Sequence, residues 1–227
     1  MNYAWGFGDL WPYWPEFLAG AWLTLKLSAW ATVLGFALGT ACAVARHQGA
    51  PWLRALVGAY VEVIRNTPLL VQVFLVYFGI ASLGIRVNAN MAAVLALVVN
   101  VGAYTCEIVR AGIDSVHRAQ IEAGECLGLS WLQVYRHIVL APAVERVYPA
   151  LTSQYVMLML ASSITSQISA EELTAVANRV QSDTFRAFET YIVAGLVYLL
   201  LSFLVRLAFW AFGQWVFPRL RRLGTPL

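Results

Sequence analysis

The chain has 227 residues, 60% of them hydrophobic and only 12% charged, whereas an ordinary soluble domain is about half apolar and about a quarter charged. A net charge of +3, with lysine and arginine scattered in ones and twos, excludes the basic stripe of a nucleic-acid binder. The apolar residues fall in several separate runs, which excludes a soluble domain on a single anchor and points to an all-α integral membrane protein.

Residues 1–16 carry Asp9 and Glu16 but no lysine or arginine. That is the wrong flank for a cleaved signal peptide, so the first apolar run is expected to be retained. About 20 apolar residues cross a bilayer, and five spans are expected, near 17–44, 55–83, 91–109, 148–168 and 191–216. An odd number puts the termini on opposite sides. The basic tail 217–227 and the arginines between spans one and two (Arg46, Arg54) and three and four (Arg118, Arg136, Arg146) place those parts in the cytoplasm. The head is then periplasmic.

Trp11, Tyr13, Trp14 and Phe17, with Trp210, Trp215 and Phe217 near the other end, are expected to form aromatic belts. The S-x-x-E spacing of Ser169 and Glu172 predicts a capped short surface helix after span four. Cys42, Cys106 and Cys126 have no metal or disulfide spacing and are read as small packing residues. His47, His117 and His137 likewise lack ligand spacing, so no metal site is expected.

The connection between spans three and four is long for a compact protein. Within it, coupling segment 118–136 reads as two short amphipathic helices, with Gly128 supplying a left-handed turn and Ser130 capping the second. A helix lying on the lipid surface is the plain alternative, but such helices are generally richer in lysine and arginine.

The residues Glu122-Ala123-Gly124, then Gly128, then Ile138-Val139-Leu140 resemble the E-A-A-x3-G-x9-I-x-L-P loop of ABC importer permeases. Residues 24–28 (TLKLS), 65–72 (RNTPLLVQ), 103–110 (AYTCEIVR) and Glu172-Leu173 are similar to blocks of its polar amino acid branch, the histidine/glutamine/glutamate type. The resemblance implies a permease subunit in a bacterial inner membrane, importing polar amino acids or related solutes by alternating access. It implies two ATPase subunits that bind ATP and Mg, a second permease, identical or homologous, and a periplasmic binding protein, all within membrane lipid. Glu122, Ala123, Gly124, Gly128, Leu129, Ile138, Leu140 and Pro142 would then carry ATPase coupling.

Two departures stand out. The proline expected after I-x-L is displaced by one, to Pro142, where a helix break is expected. The branch's N-x6-K-[DE]-T-S-L pattern in span four is replaced by Ser153 and Leu160-Ala161-Ser162-Ser163-Ile164. The missing Lys-acid pair suggests that a related partner in a heterodimer carries the charged site.

No G-x-x-x-x-G-K-[ST] loop surrounds Lys26, the chain's one lysine, so the chain is not expected to be an enzyme with its own ATPase site, and no catalytic set emerges. Lys26 reads either as functional or as a snorkelling or paired cation. Glu62 with Arg65, and Glu107 with Arg110, are three apart and read as local ion pairs or gate supports. Gln72 and Asn100, facing Gln154, Ser162, Ser163, Thr165 and Ser166, are candidates for a substrate path, although small hydroxyl residues also serve helix packing. An ion-coupled secondary transporter would show an inverted repeat or mid-membrane acids, and neither is evident; a membrane scaffold without transport activity is the remaining alternative.

Overall fold

The computed structural model describes residues 5–217, and among them all regular structure is helical. A 3-10 turn over Phe7–Tyr13 leads into α1 (Trp14–Gln48). Then follow α2 (Pro51–Arg65), α3 (Leu69–Ser82), α4 (Ala89–Asp114), α5 (Arg118–Cys126) and the short α6 (Trp131–Gln133). A π-helical stretch, Val134–Leu140, joins α6 to α7 (Ala141–Ala161), which tightens into a 3-10 segment, Ser162–Ile168. Next come α8 (Leu173–Thr184) and α9 (Ala187–Val216).

The central element is α4, whose middle buries Ala96, Leu97, Asn100, Val101, Ala103, Thr105 and Cys106, while Val98, Val99 and Tyr104 are half-buried. Its closest neighbour is α1. A Cβ built on Gly39 would stand 2.6 Å from the Gly102 carbonyl, and one on Gly35 2.2 Å from Val101 Cγ1. The four-residue spacing of Gly35 and Gly39 therefore brings the two backbones together, as small residues do in lipid, where there is little hydrophobic force between helices. Sequence reasoning passed over this pair.

Among the described residues, three helices are long and apolar enough to cross a membrane: the one that includes α1, then α4 and α9. The expected second span is not one helix. It breaks into α2 and α3, bent by 112°, because Pro68 has no N–H to donate and biases Thr67 away from helical geometry. The expected fourth span also differs: regular helix ends at Ala161, and 162–168 is 3-10.

Pro142 does not break the chain, which stays helical from Trp131 to Ala161. It occupies the first turn of α7, where a missing N–H is tolerated, and the wider π turns before it give its ring room.

The helix after span four exists, but its cap is Glu172 rather than Ser169, which lies in the left-handed region at φ 63°. One face of α8 is buried through Leu173, Val176, Ala177 and Val180. Phe17 belongs to the core instead of the belt, whereas Trp11, Trp14, Trp210 and Trp215 are exposed. Cys126 is exposed on α5, unlike buried Cys106. The basic tail beyond Phe217, which carried part of the orientation argument, lies outside the described residues.

Candidate functional site

The coupling residues form one small body. Glu125 and Ala123 carbonyls close α5, and Gly128 turns the chain at φ 74°. Ser130 then caps the next turn reciprocally: Gln133 N–H donates to Ser130 Oγ, and Ser130 N–H donates to Gln133 Oε1 at 2.8 Å. Gly124 is buried, and a Cβ there would meet Ile138 Cδ1 at 2.4 Å. Glycine in place of the alanine suggested by the resemblance thus lets α5 lie directly on the π-helical stretch.

The second of the two expected short helices is not separate, since α6 runs on into α7. Leu129, Ile138, Leu140 and Pro142 are half-buried, whereas Glu122, Ala123 and Gly128 are exposed. Around the turn Leu127, Trp131 and Leu132 are exposed by 79%, 60% and 65%. This apolar knob follows from the Gly128 turn.

At the bend between α2 and α3, Gln72 holds the chain in both directions. Its Nε2 donates to the Ile64 carbonyl at 2.8 Å and stands 3.1 Å from the Thr67 carbonyl, so the amide satisfies carbonyls that the broken helix leaves open. Its Oε1 accepts from Asn100 Nδ2 at 2.9 Å. Both side chains are buried and engaged.

The hydroxyls of the expected path behave similarly. Ser162 and Thr165 are fully buried and donate back to the Met159 and Ser162 carbonyls, and Ser166 donates to Ser163. Such back-bonding competes with the α-helical ladder, and the stretch that carries it is 3-10. Gln154 and Ser163 are half-buried. One apolar cluster, through Val73, Ala96, Ile164 and Ile168, joins α3, α4 and the 3-10 segment that carry Gln72, Asn100, Ser162 and Thr165.

The expected Glu62–Arg65 pair does not form. Glu62 accepts from Asn66 Nδ2, while Arg65 reaches Glu107 Oε2 at 3.8 Å and stacks over the Tyr104 ring. Glu107 is a shared anchor: it takes Arg46 from α1 and Arg65 from α2, and it accepts from Arg110 Nη2 at 2.9 Å on its own helix. Arg110 also donates to Asp114 at 2.8 Å. The Glu107–Arg110 pairing matches its spacing, but the roles of Arg46 and Arg65 are tertiary and no local pattern announces them.

A second node was not anticipated beyond the Glu172-Leu173 block. Glu172 is fully buried between α1, α8 and α9. Its Oε2 accepts from Tyr198 at 2.6 Å and lies 3.4 Å from Thr24 Oγ1, and its Oε1 accepts from Ala175 N–H at 3.0 Å. Burial pushes its carboxyl above the ordinary carboxylate range, partly offset by these donors. Nearby, Glu189 accepts from Gly6 N–H at 2.9 Å and Arg186 pairs with Asp9 at 3.0 Å, tying the head of the chain to the start of α9.

The binding-protein-dependent transport system inner membrane component family matches residues 31–222. The chain is 36% identical over 225 residues to the nopaline transport system permease NocM of Agrobacterium fabrum, covering 92% of each. It is 38% identical over 186 residues to the probable glutamine ABC transporter permease GlnM of Bacillus subtilis, covering 82% of this chain and 86% of that one. A solved amino acid ABC transporter with histidines superposes with a TM-score of 0.84 at 33% identity, over 93% of this chain and 99% of that one. The MetNI methionine transporter, at 20% identity and a TM-score of 0.77, shares the fold. The helical bundle, the Gly128 turn after Glu122-Ala123-Gly124 and these matches agree: the chain belongs to the family of binding-protein-dependent inner membrane permeases, the membrane subunits of ABC importers, which have no ATPase site of their own.

Proposed function

We propose that the chain is a five-span permease with its head outside and its tail in the cytoplasm, importing polar amino acids or close relatives such as amino acid conjugates. The bent pair α2–α3 serves as the second span, and α7 with its 3-10 extension as the fourth. The substrate class rests on similarity to proteins named for glutamine, nopaline and octopine.

The observation that carries the mechanism is the exposed knob of Leu127, Trp131 and Leu132, rigidly continued into α7. Two ATPase subunits holding ATP and Mg would receive this knob and that of a second permease, and their closure would move α7 as a lever between inward- and outward-facing states. Glu107 with Arg46, Arg65 and Arg110 would brace the inner end of the bend, and Gln72 and Asn100 would set its angle. Ser163 and Gln154 would line the path, while a related partner permease would supply the charged site that this chain's fourth span lacks.

The test is uptake in proteoliposomes holding the permease pair, its ATPase and its binding protein, against a panel of polar amino acids and their conjugates. ATP-dependent accumulation of one class is expected. Accumulation driven by an ion gradient without ATP, or none for any member, rejects the reading.

A further inference from the structure

One cation faces an apolar groove away from the sites above. Lys26 shares a cavity of about 560 Å³ with Trp22, Ala29 and Val33 of α1, Met159 of α7 and Phe209 of α9. No acidic residue lines it. Lys26 is exposed and has no hydrogen bond or ion pair among the described residues. Lys26 lies twelve residues into α1, about 18 Å along the helix, and Arg206, inside α9, does not line the groove.

A charge at that depth is costly unless something meets it. Helical side chains lean towards the N-terminus of their helix, so the ammonium reaches towards the Trp22 end of the groove. From there the apolar wall continues past Val33 and Phe209 for the length of a few helical turns. A site with one cation and a wall that is mostly hydrocarbon, with only the hydroxyl residues Ser28, Thr32 and Tyr155 among its polar neighbours, fits an amphiphile with one anionic head; a zwitterionic amino acid would leave its ammonium group without a counter-charge there.

We infer that this groove binds an anionic phospholipid, its phosphate paired with Lys26 and one acyl chain laid between α1, α7 and α9. Charge complementarity selects the headgroup, and the groove's volume, within the range of small-molecule sites, admits a single chain. Because Met159 belongs to α7, which the coupling segment continues, the bound chain also contacts the element that would move in transport.

The test uses the full transporter complex, stripped of lipid in detergent and titrated with phosphatidylglycerol or phosphatidylcholine of identical chains, with bound lipid counted by native mass spectrometry. The anionic lipid is expected to bind about fivefold more tightly. Lys26→Ala should erase that preference and leave phosphatidylcholine binding unchanged, and Lys26→Arg should keep it. Ala208→Trp, an exposed groove position on α9 with room for the ring, should lower retention of both lipids. Equal binding of the two lipids to the unmodified complex, as would follow if a second permease filled the groove, overturns the inference. So does a preference that survives Lys26→Ala, or retention unmoved by Ala208→Trp.

Discussion

Asn100 donates to Gln72 across 2.9 Å, and through that one contact the central helix α4 is joined to a bend whose carbonyls the same Gln72 closes. Removing the amide in Gln72→Ala leaves the Ile64 carbonyl without its partner, at a cost of about 1–3 kcal/mol for a buried polar group. Asn100→Ala should cost less, because only Gln72 Oε1 loses a bond. Because the residues touch, the double variant should be less destabilised than the sum of the singles by at least about 0.5 kcal/mol. Thermal unfolding of the four proteins measures this, and strict additivity would show that the two side chains act separately.

Glu107 holds three arginines from two other helices and its own. In Glu107→Gln the shape is kept but Arg46, Arg65 and Arg110 face one another without a counter-charge, apart from Asp114 on Arg110. The expected loss is about 1.5–3 kcal/mol at low salt, the range for hydrogen bonds to charged groups. Much of it should return at high salt, because the remaining repulsion lies at a partly exposed site that ions screen. Loss that ignores salt would mean that packing, and not charge, holds this end of the bundle.

Glu172 makes stability depend on pH. Its folded carboxyl is raised, chiefly by burial, above the value it has in an unfolded chain. A group raised on folding contributes stability that is fully present below its unfolded pKa and is lost as pH rises through the folded one. The melting temperature should therefore climb as pH falls from neutral towards the ordinary carboxylate range, and Glu172→Gln should flatten that slope. A slope of the same size in the Gln variant would assign it to other acids.

How much of this was legible in the sequence follows the range of each interaction. The long apolar runs gave an all-helical membrane protein, and the local signals Gly128 and Ser130 gave the left-handed turn and its capping residue, because each of those two is decided within a few residues. Pro68 was in plain view, yet the apolar run continued across it and hid the 112° bend. The bend depends on Gln72 and Asn100 closing it, and their pairing is tertiary. Pro142 misled in the opposite sense, since the π turns before it absorb its ring. Glu62 and Arg65 have the right spacing for a pair, but Glu107 on another helix takes the arginine. The Gly35–Gly39 spacing was readable and was missed.

Gly128 offers a clean separation of folding from coupling. A Cβ built there meets nothing within 4 Å, so any effect of substitution comes from its φ of +74° and not from crowding. Valine in that region costs about 1–2 kcal/mol, and the chain can relieve it by opening the turn, which displaces Leu127 and Trp131 from their places on the knob. The turn is exposed, and Gly128 is not one of the residues of the α1–α4 core cluster. Gly128→Val should therefore leave assembly and melting of the permease nearly unchanged while uncoupling uptake from ATP hydrolysis. Gly128→Asn should retain most coupling, because asparagine tolerates the left-handed conformation. Parallel measurement of ATPase rate and substrate uptake distinguishes the two variants. Full coupling in the valine variant would remove the turn from the transmission path, and loss in both would show that the glycine is needed for contact with the ATPase rather than for its backbone angle.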